Sequence, residues 1–225
     1  MYTINQGFED EIYKSDRQIF GKVSIGAHVF SDSGELCSAS LRFSSVDNLI
    51  VGQAVSQSAD IEMNVSDEDF QAYFDITADV TVYLGVSIDG TVTYIPRQPM
   101  RITDYDYNKD TGKLTFSCTD YMCKADEYTV NDLPDMQYPV TVDSYLQAIC
   151  TKIGVSKSTA SYFNSDVSLS GPPNFDGSES LRTALKWIAQ MCLSNCYINK
   201  NGELEMKCIV DSTPVETILE IIIFL

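Results

Sequence analysis

From residue 20 to about 130 the chain alternates between apolar and polar positions. Val23 and Ile25 are interleaved with Lys22 and Ser24. Cys37, Ala39, Leu41 and Phe43 are interleaved with Ser38, Ser40 and Arg42, and Ala59, Ile61, Met63 and Val65 with Asp60, Glu62 and Asn64. A period of two sends one set to a packed face and the other to water, so each run predicts a half-buried strand. The cleanest run, Val80, Val82, Leu84, Val86 and Ile88, closes on Asp89-Gly90, a two-residue hairpin signal, and returns through Val92 and Tyr94. Met100 and Ile102 pair with Leu114, Phe116 and Cys118 across the turn-rich stretch NKDTGK. Strands this short, with turns this frequent, predict a sandwich or barrel.

After residue 133 the period changes. Val142, Leu146, Ile149 and Ile153 share one helical stripe, with Thr141 as N-cap, Asp143 in the first turn and Gly154 as the stop. The stretch SLSGPPNFDG reads as a loop. A second helix follows, with Leu181, Leu185, Ile188, Ala189 and Cys192 on one face, capped either by Asp176, with Glu179 three residues on, or by Ser178. Tyr197-Ile198, the turn Asn199-Lys200-Asn201-Gly202, and Leu204, Met206 and Cys208 predict a hairpin. The expected class is α+β, mainly β. Its expected parts are a β domain over 1–133, a small helical α/β layer over 134–195, and an incomplete second β region over 196–225.

One stretch fits neither pattern. Before the strand that starts near Ala59 runs Gly52-Gln53-Ala54-Val55-Ser56-Gln57-Ser58, too short for a linker and too small and polar for a core strand. The simplest reading is a polar loop between two strands.

The charge balance narrows the function. The 225 residues hold 15 Lys and Arg against 32 Asp and Glu, a formal net charge of −17. Affinity for nucleic acid comes mainly from basic side chains displacing counterions, so specific DNA or RNA binding is not expected. Seven cysteines form no compact framework, and the N-terminal stretch MYTINQGFEDEIYKSDR has no apolar core of a secretory signal; together these predict reduced thiols. The apolar tract ILEIIIFL is interrupted by Glu220 and falls short of the roughly 20 residues that span a bilayer. It reads as a strand whose partners lie outside this chain or on another subunit.

Candidate chemistry is sparse. Cys192 and Cys196, four apart, would share a helix face, and Cys118 and Cys123 are also close, but structural zinc needs tight pairs totalling four Cys or His ligands. The one histidine, His28, is the only available base for a cysteine nucleophile and reads better as a solvated strand residue. Asp104 and Asp106 share a strand face, as a glycosidase pair would, yet they precede an Asn-, Asp- and Gly-rich turn that explains them. No phosphate-cradling loop, nucleophile elbow, metalloprotease helix or EF-hand occurs. No catalytic, cofactor-binding or metal-ligating residue is assigned, no cofactor is expected, and the chain is not expected to be an enzyme.

Longer segments, taken in order, resemble the N-terminal region of the tail (baseplate) hub proteins of siphophages and contractile phages. The family's G-x-A-V/x-S lead-in is matched by Gly52, Ala54, Val55 and Ser56. Its F-x-x-x-D-R/Y-M signature is matched by Phe116, Asp120, Tyr121 and Met122, with Tyr121 where Arg is frequent, which puts any salt bridge of that Arg in doubt. The YP-x-T helix entry is matched by Tyr138, Pro139 and Thr141. The later helix and hairpin are matched by Leu185, Ile188, Ala189, Ile198, Asn199, Gly202 and Leu204. The resemblance covers roughly residues 15 to 210. It implies a tube-like antiparallel β-barrel, then the helical layer, then the start of a second barrel. It also implies a homotrimer whose barrels form a ring that continues the tail tube and lets DNA pass, with the distal tail ring, tape measure and tail tube as partners. Synthesis in the bacterial cytoplasm and residence in a virion tail follow from the same resemblance, as does a role for the lead-in at a barrel corner or against a neighbouring subunit. A distal tail or spike component is the nearest alternative. Two others are a carbohydrate-binding β module, against which the lone, helical Trp187 speaks, and the attachment half of a peptidoglycan hydrolase.

Overall fold

The computed structural model describes residues 6–14, 17–31, 34–43, 51–171 and 177–208. They form two compact units whose boundaries do not follow the chain. Of the described residues, the first takes those up to Leu41 and from Ala59 to Cys118, the second those from Arg42 to Ser58 and from Thr119 onward. The chain is therefore interleaved, leaving the first unit after its third strand and re-entering it at Ala59. The strand expected from ILEIIIFL lies outside the described residues.

The first unit opens with α1 (Gln6–Ile12) and continues with β1 (Ile19–Ile25), β2 (His28–Ser31), β3 (Leu36–Phe43) and β4 (Gln57–Asn64). Next come α2 (Asp67–Tyr73), β5 (Asp79–Ile88), β6 (Thr91–Pro96), β7 (Met100–Asn108) and β8 (Lys113–Asp120). The sheet order is β2-β1-β5-β7-β8-β4-β3, with β6 also paired to β5. Among the described residues this path runs from β2 to β3 and no closed barrel is found.

The registers follow the alternation. Val23 faces Val82 and Ile25 faces Val80 across β1 and β5, and all four are buried. Removing a large aliphatic side chain from water is worth about 1.5–3 kcal/mol, which is why the apolar set chooses the packed face. The β5–β6 turn is the expected one, with Asp89 and Gly90 at φ of 50° and 79°. Two short helices, α1 and α2, are not visible in the alternation. In α2, Ser66 accepts a hydrogen bond from Asp69 N and three acidic residues occupy the first turn, a favourable N-terminus. Its Phe70 stacks on Tyr107 with centroids 3.9 Å apart.

The second unit contains β9 (Val140–Thr141), α3 (Val142–Ile153), β10 (Ser168–Leu169), α4 (Leu181–Met191), β11 (Ser194–Ile198) and β12 (Leu204–Cys208). Short 3-10 helices span Tyr121–Asp126 and Val130–Asp132. Both ends of α3 are as expected. Thr141 accepts from Ser144 N, and Gly154 caps the C-terminus at φ 70°. The cap of α4 is a correction: it is Ser180, which accepts from Thr183 N, and not Ser178, while Asp176 lies outside the described residues. The reason is that Ser180 is extended and its neighbours are bonded to the segment after the first 3-10 helix, through Val130 N to Glu179 O and Leu181 N to Tyr128 O. Leu146, Ile149, Leu181, Leu185, Ile198 and Leu204 share one buried core. The whole is an α+β fold built mainly of antiparallel strands with a few helices. Among the described residues no helix is long and apolar enough to cross a membrane.

Gly85 on β5 gives the first test. A Cβ there would lie 2.7 Å from the Tyr94 ring of β6 and 3.0 Å from Val92. That ring lies over the glycine and carries Lys22 Nζ 4.1 Å from its centroid. Gly85→Ala should lower the unfolding free energy by about 1–3 kcal/mol in urea denaturation, as overpacking does. In a Tyr94→Ala background the same change should cost little. An equal cost in both backgrounds would show that the ring is not the obstacle.

Candidate functional site

The small polar stretch at 52–58 is where the structure departs most from a loop. Ala54 bridges Cys196 in parallel, so the stretch lies as an added strand along β11. Gly52 N donates to Ser194 O at 2.9 Å, Cys196 N to Gln53 O at 2.8 Å, and Val55 N to Cys196 O at 2.8 Å. Asn195 reinforces the start, its Oδ1 accepting from the successive amides of Gly52 and Gln53 at 3.0 and 2.9 Å. Gly52 is required on two counts. Its φ is +92°, and a Cβ would sit 2.0 Å from Gln190 Cγ on α4. On the far side of the hairpin, residues 156–158 flank β12 in the same parallel sense, through Ser158 N to Leu204 O and Leu204 N to Ser156 O.

The other end of the added strand is held by Asp120, the last residue of β8. Its carboxylate accepts from Ser56 Oγ at 2.9 Å, Gln57 N at 2.9 Å and Met122 N at 3.1 Å. The Met122 bond also caps the 3-10 helix of Tyr121–Asp126. Asp120 is fully buried, and burial pushes its carboxyl up. The donors of Gln57, Ser56 and Met122 and the Arg182 guanidinium pull in the opposite direction. Arg182 itself forms a bidentate pair with Asp126, at 2.8 and 2.7 Å. Tyr121 receives Lys124 Nζ at 4.2 Å from its ring.

So the lead-in and the F-x-x-x-D signature, 63 residues apart in sequence, meet at one carboxylate. The later matched positions join them. Ala54, Met122, Leu185, Ile188, Ala189, Ile198 and Leu204 lie in one buried core. Asn199 closes the β11–β12 turn, its Oδ1 accepting from Asn201 N and Glu203 N. Asn195 and Gln190 carry no signal in the sequence, because neither an interior asparagine nor a helix-terminal glutamine announces a partner more than a hundred residues away.

The other candidates are scattered. The chain leaves its helix at Met191, so Cys192 caps α4 while Cys196 lies on β11, and the shared helix face does not exist. Burial pushes the thiols of Cys118, Cys150 and Cys196 up to about 12 and that of Cys192 to about 11, against thiolate chemistry. His28 stacks on Tyr73, centroids 3.7 Å apart, and meets Phe30 edge-on. Asp104 and Asp106 are both exposed on β7. Among the described residues no group of His, Cys, Asp and Glu side chains could hold a metal ion.

No protein-family model and no curated protein matches this sequence. Solved structures do. A tail protein from Neisseria meningitidis MC58 is 17% identical, with 88% of this chain and 53% of that chain covered and a TM-score of 0.52. The 43 kDa tail protein of prophage MuSo2 from Shewanella oneidensis is 10% identical over 85% of this chain and 56% of that one, TM-score 0.49. Prophage tail protein gp18 from Listeria monocytogenes EGD-e is 10% identical over 84% and 50%, TM-score 0.47. The chain spans about half the length of each. The likeness is one of fold, which this chain shares with the tail protein from Neisseria meningitidis MC58.

The Asp120 junction makes a signed prediction. Asp120→Ala removes an acceptor shared by three donors and should lower the unfolding free energy by about 1–3 kcal/mol at pH 7. The folded carboxyl titrates above its ordinary 3.8. Its protonation therefore favours the fold, fully below 3.8, and that contribution is lost as pH rises through the folded value. The deficit of Asp120→Ala against the wild type should thus widen as pH falls toward 4, measured by urea denaturation at a series of pH values. A deficit that shrinks on acidification would mean that the three donors outweigh burial and hold the carboxyl below its ordinary range.

Proposed function

We propose that this chain is a non-enzymatic structural part of a phage or prophage tail hub. The observation that carries the reading is the fold it shares with a solved tail protein, together with the convergence of the hub-like segments on the Asp120 junction. In this reading the open sheet of the first unit belongs to a tube-like β-barrel spanning residues 1–133. Residues 134–195 form the helical layer, and 196–225 begin a second barrel. Three copies assemble into a ring that continues the tail tube, with the distal tail ring, tape measure and tail tube as neighbours.

Physical chemistry supports the passage of DNA through such a ring. A wall bearing exposed carboxylates such as Asp104 and Asp106, on a chain of net charge −17, repels phosphates and does not retain the duplex. Function then lies in packing and strand pairing, and no turnover is needed.

The test is the solution mass in reducing buffer over a range of concentrations. Light scattering should give a species of three times the 25.0 kDa chain. A mass of one chain at every concentration would contradict the ring.

A further inference from the structure

Charge is divided unevenly across the sheet of the first unit. Residues 17–31 and 79–103 supply β1, β2, β5 and β6, and they carry Arg17, Lys22, Arg97 and Arg101 against Asp79 and Asp89. These strands are neighbours, with β2, β1 and β5 in order and β6 paired to β5. The segments that supply β4, α2 and β8 are the reverse. Residues 57–75 hold six acidic residues and no Lys or Arg, and residues 104–120 hold four, with Lys109 and Lys113. Both of those lysines are already paired, Lys109 with Asp67 at 2.8 Å and Lys113 with Glu62 at 2.9 Å.

Two cations of the basic strands are held without carboxylates. Lys22 Nζ lies 4.7 and 4.1 Å from the ring centroids of Tyr83 and Tyr94, which fix the ammonium and leave its charge uncompensated. Arg97 follows Pro96 and comes two residues before Pro99, so its backbone is restricted on both sides, and its amide donates to Val82 O at 2.8 Å. Its Nε is buried and meets no acceptor among the described residues. Neither Lys22 nor Arg97 forms an ion pair among the described residues. Lys22 and Pro96 both stand opposite Tyr83, so the two cations belong to one three-strand segment.

The complement of such a surface is acidic, and its size says of which kind. Four strands at their usual spacing are roughly 14 Å across. Duplex DNA is a continuous line of phosphates, one charge per roughly 1.7 Å, and would run on against the acidic segments. A short acidic stretch of polypeptide ends within the basic strands, and the Arg fork matches each carboxylate it meets. We propose that β1, β5 and β6, through Lys22 and Arg97, form a docking surface for a carboxylate-rich segment of another protein. The surface is independent of the ring: a chain that stays a monomer and binds such a segment keeps the one and loses the other.

The probe is a fluorescently labelled peptide of glutamates only, titrated at low salt and read by anisotropy. Lys22→Met and Arg97→Met keep the apolar stems and remove the charges, and each should weaken binding at least about fivefold, whereas Lys113→Met should change it less than about twofold. The urea midpoint of Arg97→Met should hold, because the change removes a buried donor that has no acceptor. Loss of the fold in that variant would make Arg97 a structural residue and overturn the proposal. Equal weakening by Lys113→Met would mean that net charge governs binding, with the same consequence. A labelled DNA duplex that binds as tightly as the peptide would overturn the polypeptide occupant. No peptide binding, with self-association that both Met variants abolish in light scattering, would make the surface a contact between copies instead.

Discussion

A carboxylate shut away from water must be met by donors, because an unsatisfied buried charge is among the largest penalties a fold can carry. Asp120 is met by Ser56, Gln57 and Met122, and each of these donors stands at a change in the chain's course. Ser56 and Gln57 end the added strand and lead into β4, while Met122 opens the helical turn after β8. One side chain thus fixes where two distant segments turn. All four residues belong to the second unit, close in sequence to 58–59 and 118–119, where the chain changes unit.

From that point the second unit can be built outward. With residues 52–55 placed beside β11, Ala54 enters the core and Gly52 must pass over Gln190, where no side chain fits. Asn195 satisfies the Gln53 amide, which the parallel pairing leaves open, and is a second acceptor for the Gly52 amide. The helices α3 and α4 then pack against a hairpin flanked on both sides by parallel segments, which protects short edges that would otherwise invite pairing with other chains. The thiols enter this core as small apolar groups and are kept protonated by burial.

Much of this is legible in the sequence where local rules decide. The alternations at Val80–Ile88 and Ala59–Val65, the Asp89-Gly90 turn, the Thr141 cap and the Gly154 stop each depend on neighbours within a few residues. What is not legible depends on distant partners. Gly52 to Ser58 carries too little apolar area to announce a strand, and its pairing with β11 is visible only once Cys196 and Asn195 are in place. The cap at Ser180 is hidden for the same reason, since pairing with residues 128–131 holds Ser180 extended. The helix α2 is a different case. Ser66 followed by Asp67, Glu68 and Asp69 is a readable start, but its seven residues show too little periodicity to stand out among strands. The Asp120 junction lies between these cases: resemblance singles out its residues, but the hydrogen bonds that join them have no signature in sequence.

The central claim is that residues 52–57 are a structural strand locked by Asp120, and amide hydrogen exchange measures it directly. Amides that leave their bonds only when the unit opens exchange slowly, whereas those of a surface loop exchange almost freely. Gly52, Val55 and Gln57 should be protected to the same degree as Cys196, the β11 residue they are built against. Exchange of these three at the rate of an unstructured chain, beside a protected Cys196, would contradict the claim.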